Sequence, residues 1–127
     1  MSAAALRARY LGDTVATASP QQLLVMLYDR LALDLERAEA ALKASDRLEA
    51  GRQLTHAQDI VFELRGSLQV DLWDGGPRLA ALYGWLITEM LQANVKGDRN
   101  RVASCLQVVE PLRDAWRQAA ASLAGTA

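Results

Sequence analysis

A chain of 127 residues, 51% hydrophobic and 23% charged, has enough apolar side chains for one compact domain with a real core and is too apolar to stay disordered. Its net charge of −1, with both signs interspersed, removes the electrostatic case for nucleic acid as a partner. The single cysteine, Cys105, excludes an internal disulfide and reads as a small core residue, and no apolar run approaches the roughly 20 residues of a membrane span.

Residues 1–18 are rich in alanine, with polar breaks at Gly12, Asp13 and Thr14. They lack the continuous apolar stretch of a secretory signal, so a cytoplasmic location is expected. They read as a flexible N-terminal arm with room for one short helix around Ala3–Tyr10, and Leu6, Tyr10 and Leu11 give the arm an apolar side. A bundle of helices is expected over 19–124. Its first helix, about 20–43, has a strong start: Ser19 as N-cap, Pro20 at the first helical position, and Gln22 completing a capping box. At 100° per residue, Leu24, Leu27, Tyr28, Leu31, Leu35, Ala38 and Leu42 form its core stripe. Met26, Leu33 and Ala40 recur on roughly the opposite face.

A short connection leads to a second helix, about 46–68, with Leu54, Ala57, Val61, Leu64 and Leu68 facing the core and Ile60 at one edge. Phe62, the only phenylalanine, points away from that stripe. The segment Val70 to Pro77 is the one long break, and Gly75-Gly76-Pro77 starts a third helix, about 77–96, which stops at Gly97. Leu79, Leu82, Tyr83, Leu86, Met90 and Ala93 face one way, and Ala80, Ile87, Leu91 and Val95 carry the apolar arc past half the circumference. Trp85 lies on the remaining side. Asp98 can cap a fourth helix, about 98–123, in which Val102, Cys105, Leu106, Val109, Leu112, Trp116, Ala120 and Leu123 repeat at helical spacing. Pro111 falls inside this pattern and predicts a kink, since it removes one backbone bond while the periodicity continues across it. Short connections between four helices of similar length predict an all-α, antiparallel up-down four-helix bundle.

The residues that carry chemistry are missing. Bundle metal sites need several inward carboxylates with Glu-x-x-His pairs, and this chain has one histidine, His56, with Asp59 three residues on. His56 reads as a polar rim residue. Gly75-Gly76 follows no strand and forms no phosphate loop. Ser104-Cys105 lies mid-helix with no base near it in sequence. No enzyme, metal or cofactor is expected. What remains is apolar surface beyond the needs of one core, at Met26, Leu33, Phe62, Trp85, Ile87, Leu91 and Val95, which suits a partner helix or peptide. Leu24, Leu31, Leu64, Leu86, Val109 and Trp116 are expected in the core.

Tyr10, the run Thr17-Ala18-Ser19-Pro20-Gln21-Gln22-Leu23-Leu24 and Leu27-Tyr28-Asp29 resemble the N-terminal signature of the FliS flagellin export chaperones. Ala57 to Leu68, Leu82-Tyr83-Gly84-Trp85-Leu86, Leu91-Gln92-Ala93-Asn94 and Leu112-Arg113-Asp114-Ala115-Trp116 continue the match in register. The loop Asp71 to Pro77 is more hydrophobic than the usual version, and Asp29-Arg30 replaces a commoner small residue. The resemblance implies a four-helix bundle that binds the disordered C-terminal segment of flagellin in the cytoplasm. It implies that binding blocks premature polymerisation and delivers the subunit to the export gate of the flagellar type III apparatus. It also implies an N-terminal arm that covers part of the binding surface, its tyrosine matching Tyr10; Met26, Leu33, Phe62, Trp85, Ile87, Leu91 and Val95 are expected as the contacts, with Leu6 and Tyr10 as a displaceable cover. No membrane insertion is expected, and the free protein is expected to be a monomer or a weak homodimer. The alternative is a non-catalytic helical adaptor or homodimerisation module whose apolar stripes pair with each other. A cofactor-binding bundle ranks third, for want of ligand side chains.

Overall fold

Cap chemistry fixes where the helices begin. Ser19 Oγ accepts the Gln22 N–H at 3.2 Å while the Ser19 N–H donates to Gln22 Oε1 at 3.0 Å, so the capping box closes ahead of α1 (Pro20–Lys43). The computed structural model describes residues 19–72 and 74–125. After α1 come α2 (Arg47–Ser67), a 3₁₀ turn at Val70–Leu72, α3 (Gly76–Lys96) and α4 (Arg99–Gly125). Leu6 and Tyr10 lie outside the described residues.

The two tight turns use the same device. After α1, Ser45 adopts the left-handed conformation (φ 59°), its N–H donates to the Leu42 carbonyl at 3.1 Å, and the Asp46 N–H donates to the Ala41 carbonyl at 2.8 Å. After α3, Gly97 is left-handed (φ 63°) and the Asp98 N–H donates to the Ala93 carbonyl at 3.0 Å. An aspartate then caps the next helix each time. Asp46 accepts the Glu49 N–H, and Asp98 accepts the N–H groups of Asn100 and Arg101. Arg47 joins the two turns, its guanidinium donating to the carbonyls of Asn94 (3.1 Å) and Val95 (3.3 Å), which the end of α3 leaves unpaired. At the opposite end of the bundle the 3₁₀ turn lies so close to α3 that a Cβ on Gly76 would stand 2.3 Å from the Val70 carbonyl oxygen, which only glycine allows.

Each helix packs on two neighbours, α1 on α2 and α4, and α3 on α2 and α4, closing an antiparallel four-helix bundle. The core holds Leu27, Leu31 and Leu35 of α1, Leu54, Ile60 and Val61 of α2, Leu86 and Met90 of α3, and Val102 and Val109 of α4, all at most 2% exposed. Tyr28 of α1 and Tyr83 of α3 meet across the bundle with their hydroxyls 2.6 Å apart. α4 runs through Pro111 without interruption.

The expected core needs correction at its edges, where Leu42, Leu68, Leu82 and Leu112 pack against it but are only half-buried. Leu24 and Trp116 are only half-buried, because they line a cleft with Leu64, Leu68, Leu79 and Tyr83, and Leu123 is exposed near the end of α4. α4 has 27 residues against 21 each in α2 and α3. At 1.5 Å per residue the difference is about 9 Å of helix without those neighbours. On α1, Leu23 and Ala32 are buried although the stripe omitted them, and Asp34 is fully buried although it is charged.

Candidate partner-binding surface

From Leu79 to Val95, α3 carries a single charge, Glu89. That carboxylate is turned to α4, where Arg101 holds it at 2.9 Å. The outward side of α3 is therefore uncharged over four turns, yet Trp85, Leu91 and Val95 on it are 40%, 48% and 68% exposed. Charged residues dominate the solvent side of an ordinary surface helix, so an uncharged exposed face of this length is the candidate interaction surface.

The expected contact residues divide among separate surfaces. Phe62 of α2, 45% exposed, belongs with Ile87, Leu91 and Val95 of α3. Gln58, one turn before Phe62, donates its amide to the Ile87 carbonyl at 3.4 Å, which sets these residues along the α2–α3 seam. Ile87 is half-buried and packs on the core edge, so it floors the seam, while Phe62, Leu91 and Val95 stand above it. Arg65 lies over the Phe62 ring, 5.3 Å from its centroid. Trp85 is on the other flank, one turn before Glu89 and toward α4. Met26 and Leu33 are half-buried on the outer side of α1, across the bundle from α3. Leu48, which the sequence reading did not single out, is the most exposed large apolar residue of the described chain at 70%. Its position two heptads before Phe62 was the available signal.

A further apolar feature escaped the periodicity altogether. Where α1 and α4 outrun α2 and α3, a cleft of about 430 Å³ opens between Leu24, Leu64, Leu68, Leu79, Tyr83 and Trp116. Trp116 tilts over Tyr28, ring centroids 6.3 Å apart, and Asp29 ties α4 down by accepting from Arg117 at 2.8 Å. Unequal helix lengths were the sequence signal for this cleft.

The polar interior is structural. The Asp34 carboxylate accepts from Arg30 Nε at 3.0 Å and from His56 Nδ1, joining α1 to α2. Burial raises the Tyr28 hydroxyl, opposed by its hydrogen bond to Tyr83. Burial also raises Tyr83, with the Tyr28 charge adding to it. Burial, then the Glu89 carboxylate, pushes the Cys105 thiol up to about 12, which leaves it no thiolate at neutral pH. Among the described residues no three His, Cys, Asp or Glu side chains converge to hold a metal ion, and no helix is long and apolar enough to cross a membrane.

The family model described as "Flagellar protein FliS" matches residues 2–123. The flagellar secretion chaperone FliS of Bacillus subtilis is 31% identical over 110 residues, covering 87% of this chain and 82% of the relative. That of Escherichia coli is 32% identical over 108 residues, covering 84% and 79%. A crystal structure of a bacterial flagellar chaperone superposes with a TM-score of 0.75 at 22% identity, covering 91% of this chain and 94% of that one, a likeness of fold.

Proposed function

This chain belongs to the FliS family of flagellar secretion chaperones, and on that premise we propose that it binds the C-terminal segment of flagellin in the cytoplasm, blocks its premature polymerisation and delivers it to the export gate of the flagellar type III apparatus. The observation that carries the reading is the uncharged, exposed face of α3 with Phe62 beside it. An amphipathic segment that would otherwise pair with other subunits can bury its apolar side there without any chemistry. Ordering a disordered segment costs free energy, which keeps a large interface releasable.

Phe62, Ile87, Leu91 and Val95 form one contact region, Trp85 a second, and Met26 and Leu33 a third. Three regions on different sides suit a client that wraps the bundle in pieces rather than one that sits in a single groove. Leu6 and Tyr10 of the N-terminal arm serve as the displaceable cover. Ser19, to which the arm is joined, lies at the end where the Leu24–Trp116 cleft opens.

Titration calorimetry with a peptide of the same organism's flagellin C-terminus tests the reading directly. Saturable one-to-one binding is expected, tightened when residues 1–18 are deleted. No binding at high micromolar concentration, together with a mass that rises with protein concentration, would replace it with the homodimer reading.

A further inference from the structure

Arg52 and Asp59 line the shallow depression that Arg47, Gly51 and Asn94 share between α2 and α3, and the apolar residues Phe62, Leu91 and Val95 stand between a positive side chain at either end. At one end Arg65 sits over Phe62. At the other, Arg47 reaches across to the last carbonyls of α3, next to Lys96. No carboxylate of the described residues pairs with Arg65, whereas Asp59 and Glu63 of the same helix are each engaged in interactions of their own. A guanidinium resting on a ring still has in-plane N–H groups to offer, and those groups match a carboxylate in a two-pronged geometry. An exposed aromatic ring carrying an arginine with no carboxylate partner combines two residue types enriched at interfaces.

We propose that Phe62 and Arg65 form a composite anchor that takes an apolar side chain and a neighbouring carboxylate of the bound segment, so that the α2–α3 seam selects an acidic amphipathic helix over a purely apolar one. The assignment rests on the client reading above and adds the charge of the client segment to it. Phe62 supplies the apolar contact and Arg65 the sign. Arg47 and Lys96 favour negative charge at the far end of the same helix.

The test is binding of the flagellin C-terminal peptide, in its native form and with its Asp and Glu replaced by Asn and Gln, to the full chain and to Arg65→Ala, Arg65→Lys and Arg65→Glu. Circular dichroism checks that each variant keeps its helicity. With the native peptide, Arg65→Ala is expected to weaken binding about three- to tenfold and Arg65→Glu more than about tenfold, the size of a rim arginine that pairs with its partner. Arg65→Lys should recover only part of the loss. With the neutralised peptide, Arg65→Ala should change nothing, and raising the salt should weaken the native complex more than the neutralised one. The proposal is overturned if all three variants bind the native peptide within about twofold of wild type while Phe62→Asp abolishes binding, because the seam then reads apolar surface alone. If the wild-type chain binds neither peptide, the client reading itself fails, and this one with it.

Discussion

A carboxylate as fully buried as that of Asp34 is tolerable only because two donors reach it, Arg30 from one turn earlier on α1 and His56 from α2. Removing either donor leaves the buried charge half-satisfied. Arg30→Ala and His56→Ala are each expected to lower stability by about 1–3 kcal/mol in urea denaturation, because both donors are partly exposed and water makes up part of the loss. Asp34→Leu, which removes the charge instead of its partners, should cost less than either and can stabilise. Equal losses from all three would show that the pair is held by packing alone. None of this was legible from the chain, where Asp34 and Arg30 look like an ordinary surface pair at helical spacing. The second donor to Asp34 comes from another helix, 22 positions later.

At the scale of elements, the turns and the helix pairings make separate predictions. Ser45 and Gly97 do the same work at equivalent turns, but only Gly97 does so without steric cost. Ser45→Gly is therefore expected to stabilise by up to about 1 kcal/mol, read as a rise in melting temperature. Gly97→Ala should destabilise by at least as much, since its Cβ would also stand 2.7 Å from the Arg47 guanidinium. The Tyr28–Tyr83 contact links α1 to α3 through a single buried hydrogen bond. Tyr28→Phe leaves one buried hydroxyl unpaired and should cost about 1–2 kcal/mol, whereas the double change to Phe should cost less than the sum of the single ones. Both hydroxyls keep their protons to higher pH in the fold than in the unfolded chain. The unfolded chain loses them first, so stability should be insensitive to these groups below about pH 10 and fall above it. The double phenylalanine variant should lose that alkaline slope. Helix starts and stops were legible because Ser19, Gly97 and Asp98 act on their own neighbours, whereas Asp46, read as the first residue of the second helix, is its N-cap. The extra length of α4 was legible in the same way, but the cleft beside it was not, because that depends on where α2 and α3 end against it.

For the molecule as a whole, the question is which apolar residues hold the bundle and which serve a partner. Phe62→Asp, Leu91→Asp and Val95→Asp should abolish client binding and leave melting within a few degrees of wild type, since all three side chains already stand in solvent. Ile87→Asp should lower melting as well, because Ile87 packs on the core edge. Melting curves alongside calorimetry separate the two classes, and a collapse of Phe62→Asp would place that ring in the core instead. The sequence by itself determined the all-α class, the antiparallel bundle, the central core and the family, because each rests on local caps, on a 3.6-residue period or on motifs in register. It also marked Phe62, Leu91 and Val95 as surplus, since one helical face has room for only so many apolar side chains. Tertiary structure alone decided that these three share a seam while Trp85, Met26 and Leu33 do not, that Leu24 and Trp116 line an open cleft, and that Asp34 is buried. Periodicity gives the direction of a side chain around its own helix, but what stands opposite it is set by the rotation and length of the neighbouring helices, which no single helix encodes.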